Sequence, residues 1–126
     1  MTIINTDEAP AAIGPYVQAV DLGNIIITSG QLPICPKTGD MPKDIEAQTR
    51  QSLNNIKAIV QAAGLNVKDI KKTMIFLKNL NDFNMVNKAY QDFFDYHTAP
   101  YPARSCVEVA RLPKDAQIEI EAIALK

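Results

Sequence analysis

Towards the end of the chain, Arg104, Cys106 and Glu108 stand two apart, and Glu119 and Glu121 repeat that spacing a little further on. Side chains of an extended strand alternate between faces, so residues two apart share one. A planar Arg fork matches a carboxylate through two parallel bonds, each charge-assisted bond worth roughly 1.5–3 kcal/mol. A Glu nearby can orient or deprotonate a water. These are the parts of a site for a small organic acid. They also fit a set of structural ion pairs, and residue types alone do not choose between the two.

Other candidates carry less chemistry on their own. Ser29-Gly30 ends an apolar run, where backbone amides become free to meet an anion, although such pairs usually mark a turn. Tyr16 follows Gly14-Pro15 and offers a hydroxyl; amphipathic packing is its ordinary use. Asn87 borders the apolar stripe of a helix and is expected to be solvated. Cys106 needs an activating base or cation to act as a nucleophile. Arg104 is such a cation, but no His partner accompanies it, so Cys106 reads as a lining residue. Cys35 and Cys106 belong to no CxxC pair and are expected to be free thiols. The single histidine, His97, completes no metal set with them and reads as a solvated helix-terminal side chain. No GxSxG is present, so a serine triad is unsupported.

The elements that must position these residues follow from local pattern. Residues 16–22 and 25–28 are apolar, β-branched runs separated by Gly23-Asn24, a hairpin signal. A loop punctuated by Pro33, Pro36, Gly39 and Pro42 follows. Asp44 caps a helix that runs to about residue 63 and stops at Gly64. Its stripe is Ile45, Leu53, Ile56, Val60 and Ala63, with a polar gap at Thr49. Residues 70–78 read as a strand. A second helix spans about 82–97 with Phe83, Val86, Tyr90 and Phe93/Phe94 as its stripe and Asn79 or Asn81 as its cap. Residues 103–110 and 118–125 form two further strands around a turn at 112–115. The order β-β-α-β-α-β-β is an α+β sheet with two helices.

Two helices cover one face of such a sheet. Yet Ile25-Ile26-Ile27 and Met74-Ile75-Phe76-Leu77 are apolar on both parities, so both faces call for shelter. A second copy of the chain is the simplest cover, and a homo-oligomer meeting through its sheets is expected. In the last strand Ile118, Ile120, Ala122 and Ala124 are assigned to the helix side, and Gln117, Glu119 and Glu121 to the other with Ile123 and Leu125. Arg104, Cys106 and Glu108 are assigned to that same helix-free side, opposite Ala103, Ser105, Val107 and Val109. Charges on an apolar contact face need a reason, and a ligand site is one.

The chain has 126 residues, 47% hydrophobic and 21% charged, which suits one globular domain over residues 1–126 with a substantial core. Thirteen Lys and Arg against fourteen Asp and Glu give a net charge of -1, so no broad positive field invites nucleic acid or an anionic membrane. Neither a membrane-spanning run nor a signal-peptide pattern stands out, and the chain reads as cytoplasmic.

Several segments together carry a resemblance. They are Ala12-Ile13-Gly14-Pro15-Tyr16, Ile27-Thr28-Ser29-Gly30-Gln31-Leu32-Pro33, Gln51-Ser52-Leu53-Asn54-Asn55-Ile56 and Pro102-Ala103-Arg104-Ser105-Cys106-Val107-Glu108-Val109, followed by Leu112-Pro113-Lys114-Asp115 and Ile118-Glu119-Ile120-Glu121-Ala122. Over nearly its whole length the sequence resembles the YjgF/RidA family, the reactive intermediate (enamine/imine) deaminases. The Pro-Ala-Arg-Ser-Cys-Val-Glu-Val stretch is the most specific element. The resemblance implies a chorismate-mutase-like fold, with the last strand inside the sheet. It also implies a homotrimer whose sheets enclose a central barrel, and ligand sites in clefts between subunits.

It further implies hydrolysis of 2-imino acids, the tautomers of enamines released by pyridoxal-phosphate dehydratases, to 2-oxo acids and ammonia. By resemblance Arg104 grips the substrate carboxylate, helped by the backbone N–H of Gly30 or Cys106. Glu119 holds the attacking water and handles its proton, and Tyr16, Ser29 and Asn87 line the cleft. No metal or organic cofactor is implied, because an imine carbon is already electrophilic. A non-catalytic protein that binds small 2-oxo acids in the same cleft is the alternative. RNA cleavage, ascribed to some relatives, sits poorly with the net charge and the lone His97.

Overall fold

The computed structural model describes residues 1–126 and has six strands and two helices: β1 (Thr2–Ile4), β2 (Ala19–Asp21), β3 (Ile25–Thr28), α1 (Ile45–Ala62), β4 (Ile70–Leu77), α2 (Phe83–Tyr96), β5 (Ala103–Glu108) and β6 (Ile118–Leu125). The strands form one sheet in the order β1-β2-β3-β6-β4-β5. The last strand lies inside the sheet, antiparallel to both β3 and β4, as the family resemblance implied. The β4 and β5 strands are parallel, as the crossover through α2 between them requires. Local pattern missed β1, whose three residues are too few to show a period but pair with β2.

The helices begin and end where capping chemistry places them. The Asp44 carboxylate accepts from the Ala47 N–H at 2.6 Å and opens α1. Gly64 follows with φ +84°, a left-handed conformation that suits glycine. The polar gap at Thr49 is buried without penalty, because its hydroxyl donates to the Ile45 carbonyl at 2.8 Å. A 3₁₀ turn, Leu80–Asp82, precedes α2, and Asn79 caps that turn through the Asn81 N–H.

One face of the sheet meets both helices. Ile26, Ile75, Leu77, Ile118 and Ile120 from the strands pack with Leu53, Ile56, Ile59, Val86 and Phe94 in a single core. The other face has no cover within the chain, and beside Glu119 and Glu121 it carries a large apolar area. Ile27, Leu125 and Val107 on it are 38%, 39% and 40% exposed, and Met74, Phe76 and Ile123 lie among them. The expected division of β6 holds: Ile118, Ile120, Ala122 and Ala124 are buried, while Glu119, Glu121, Ile123 and Leu125 face the open side.

The expectation for β5 does not hold. Its parallel register sets Arg104 beside Thr73, Cys106 beside Ile75 and Glu108 beside Leu77. Thr73, Ile75 and Leu77 are buried under the helices, so Arg104, Cys106 and Glu108 face the helix side. Alternation divides a strand into two sets but does not say which set faces which layer. The β5 strand is also an edge, where polar side chains reach solvent past the rim of the helix layer.

Candidate active site

The polar residues singled out in the sequence gather in two places. The first is a cleft of about 730 Å³ lined by Tyr16, Ser29, Gly30, Cys35, Lys114 and Glu119, among others. The second is the helix-side edge of β5, where Arg104 meets Asn87 of α2. Arg104 and Glu119 project from opposite faces of one sheet, so no single copy brings them together.

The cleft exists because β3 and β6 fall out of step. Ile27 pairs with Ile123, and the next bridge joins Gln31 to Ile120, so the chain after β3 advances one residue more than β6 does. That extra residue is a bulge, with Ser29 and Gly30 in it. The Thr28 hydroxyl fills the gap in the ladder by accepting from the Ala122 N–H at 3.0 Å. Ser29 turns inward and donates to the Val17 carbonyl. Gly30 keeps a backbone N–H that donates to no group of the chain. Glu119 lies over it: a Cβ on Gly30 would stand 2.8 Å from the Glu119 carboxyl carbon, nearer still to one of its oxygens. Burial, with repulsion from Glu121 second, pushes the Glu119 carboxyl above the ordinary glutamate range.

The cleft walls are held by buried amides that local reading of the sequence passed over. Gln18 donates to the carbonyls of Thr6 and Pro10 at 3.0 and 2.8 Å and accepts from the Thr6 N–H at 2.7 Å, fixing one wall. Asn55 of α1 donates to the carbonyls of Leu32 and Ile34, both at 3.0 Å, fixing the other. Gln48 ties Pro42 to Gln117 at the foot of β6. Their signal was polarity at positions where a helix or strand must be buried. The Tyr16 side chain stands at the cleft mouth, and its hydroxyl accepts from the Ile13 N–H at 3.3 Å. Lys114 reaches the cleft from a turn in which it and Asp115 both adopt left-handed backbone. The Cys35 thiol is held below its usual range by hydrogen bonding from Thr38 and the N–H groups of Lys37 and Thr38.

At the β5 edge, Asn87 is not the solvated amide expected from its position. Its side-chain oxygen accepts from Arg104 Nη1 at 2.7 Å. The guanidinium carbon stands 5.0 Å from the Tyr90 ring centroid and 5.5 Å from that of Phe83. The three ion pairs of the chain are Lys88–Asp92, Arg111–Asp115 and Lys126–Asp21, so the half-buried Arg104 has no carboxylate of its own. Glu108, which shares its face, instead accepts from the Leu80 N–H at 2.9 Å. Within one chain these residues thus form no ion-pair set among themselves. Burial raises the Cys106 thiol, outweighing the neighbouring Arg104 charge, which suits a lining residue and not a nucleophile. His97 caps the end of α2 but is not solvated: Nδ1 lies 2.8 Å from the Phe93 carbonyl oxygen, the ring packs on Phe93, and Nε2 is buried. Cys35 and Cys106 are both free thiols.

A half-buried guanidinium without a carboxylate partner on one face of the sheet, and a carboxyl over a glycine in a cleft on the other, mark the polar sites of this α+β protein. The chain belongs to the Endoribonuclease L-PSP family, the YjgF/RidA family, whose model matches residues 6–126. The 2-iminobutanoate/2-iminopropanoate deaminase of Escherichia coli K12 is 68% identical over 123 residues, which is 98% of this chain and 96% of that protein. The crystal structure of the E. coli YjgF gene product superposes with a TM-score of 0.99 at 66% identity, covering 100% of this chain and 99% of that one. E. coli TdcF, solved with serine bound, superposes equally well at 60% identity, with 100% and 99% covered. No helix of the chain is long and apolar enough to cross a membrane.

Proposed function

We propose that this protein is a 2-iminobutanoate/2-iminopropanoate deaminase, hydrolysing the imines released by serine and threonine dehydratases to 2-oxo acids and ammonia. The observation that carries the reading is Arg104: a half-buried guanidinium, held by a neutral amide and two rings, with no anion of its own chain to pair with. Such a cation invites a carboxylate from outside. The relatives of nearly the same length named for this activity support the choice of substrate.

The active unit is a closed ring of copies, three by family resemblance, around their open apolar faces. In it the Arg104 edge of one subunit meets the Glu119 cleft of the next, and each junction makes one site. Arg104 binds the substrate carboxylate, and Asn87, Cys106, Tyr16 and Ser29 line the space around it. The free Gly30 N–H adds a donor. Glu119 holds a water against the imine carbon and accepts its proton as the carbon–oxygen bond forms. That proton passes to the nitrogen; the carbon–nitrogen bond then breaks, Glu119 takes the remaining hydroxyl proton, and ammonia leaves as the carbonyl of the 2-oxo acid forms. Orientation and one base suffice, since a protonated imine is strongly electrophilic. Residues 1–126 act as one domain in the cytoplasm.

The test is a coupled assay in which a dehydratase supplies fresh imine and 2-oxo acid formation is timed. Wild-type protein accelerates formation, and Arg104→Ala loses that acceleration while its assembly is unchanged. Full acceleration by Arg104→Ala contradicts the role. A binding protein for 2-oxo acids is separated by Glu119→Gln, which abolishes turnover and keeps affinity for 2-oxobutanoate if the protein is an enzyme. The family description also raises RNA cleavage; His97, packed on Phe93 and outside both halves of the site, gives that reading no base.

A further inference from the structure

We infer that Tyr90, assisted by Phe83, is a positioning residue for Arg104: the two rings form a neutral cradle that fixes the guanidinium plane without consuming its charge. This rests on the proposed role of Arg104 as the carboxylate grip. Phe83, Asn87 and Tyr90 follow one another at spacings of four and three along α2, so they form one stripe that faces the β5 edge. Asn87 takes one of the five guanidinium N–H groups, leaving the rest for a ligand. A carboxylate in place of these groups would compete with the substrate. An amide and two aromatic faces attract the cation yet leave it unneutralised.

The Tyr90 ring is itself fixed. Its hydroxyl lies 2.7 Å from the Thr73 hydroxyl, and Thr73 is the β4 residue directly beside Arg104 in the parallel register. Thr73 is fully buried and Tyr90 nearly so, and Phe94 packs against the Tyr90 ring at 4.8 Å between centroids. The strand that sets the Arg104 backbone therefore also sets the platform under its side chain. With its hydroxyl engaged by Thr73, Tyr90 acts through Arg104 and not on the substrate.

The substrate carboxylate is not the reacting group, so a loosened fork weakens ground state and transition state alike and appears in KM. Tyr90→Leu is expected to raise KM about 5- to 30-fold with kcat changed less than about threefold, and to weaken 2-oxobutanoate affinity by the same factor. Tyr90→Phe keeps the ring and stays within about threefold of wild type; it loses the same Thr73 partner, so a purely structural cost is common to both variants. Phe83→Leu, at a more exposed position, raises KM about 2- to 5-fold and serves if Tyr90→Leu does not assemble. Wild-type KM and affinity in assembled Tyr90→Leu, or in Phe83→Leu should that be the variant read, with both lost in Arg104→Ala, overturn the cradle and leave the deaminase site standing. Equal KM increases in Tyr90→Phe and Tyr90→Leu overturn it too. If Arg104→Ala retains activity and affinity, the site reading itself falls, and the cradle with it.

Discussion

The Glu119 carboxylate lies directly over Gly30, where any β-carbon would collide with it. The bulge after β3 frees a backbone N–H, and the glycine in it leaves room for the Glu119 carboxylate. Gly30 is outside the left-handed region, so the glycine is required by space and not by backbone conformation.

Gly30→Ala therefore tests the cleft. The fold has no backbone reason to reject alanine, but the added methyl pushes Glu119 from its place. Turnover is expected to fall at least about tenfold, in keeping with general-base contributions of about 10²–10⁴, while assembly and thermal midpoint change little. Wild-type turnover in a folded Gly30→Ala contradicts the placement of the base.

The raised Glu119 pKa fixes a pH dependence. Only the ionised carboxylate accepts the water's proton, so activity declines as pH falls through the raised value. The acid limb of kcat/KM is expected above the about 4.3 of an unperturbed glutamate. Glu121→Gln removes the repulsion and moves that limb to lower pH; an unmoved limb contradicts the assignment. Stability runs the other way. A carboxyl whose folded pKa is raised binds its proton more tightly when folded, so its contribution is favourable at low pH and is lost as pH rises through the window between the unfolded and folded values. Glu119→Gln, without that ionisation, should melt no lower than wild type at neutral pH even as turnover disappears.

The open sheet face makes the third prediction. Ile27 sits on it beside Ile123. Burying a large apolar side chain contributes about 1.5–3 kcal/mol, and an unpaired carboxylate in its place costs more. Ile27→Glu is expected to sediment as a single chain with a wild-type far-ultraviolet spectrum and no turnover. A ring that persists in this variant shows that the face is not the contact.

Legibility in the sequence differed from element to element for physical reasons. The Asp44 cap, the Gly64 stop and the faces of β6 depend on neighbours in the chain, and local pattern found them. The bulge at Ser29-Gly30 depends on β6, some ninety residues away, and the pattern showed only an ordinary turn. Alternation assigns Arg104 to the helix-free side, whereas the parallel register puts it on the helix side, since alternation carries no sign at an edge strand. Helical phase puts Phe83 in the apolar stripe of α2, yet it lies at the rim, with Arg104 over it.

The central claim is that each site takes Arg104 from one copy and Glu119 from the next. The most direct measurement mixes two inactive variants, Arg104→Ala and Glu119→Gln, by unfolding and reassembling them together before assay. In a closed ring, random equal mixing joins an intact Arg104 to an intact Glu119 across roughly a quarter of the junctions, so about a quarter of wild-type turnover should return. If the mixture stays as inactive as its parents although mixed rings are shown to form, the shared site does not exist.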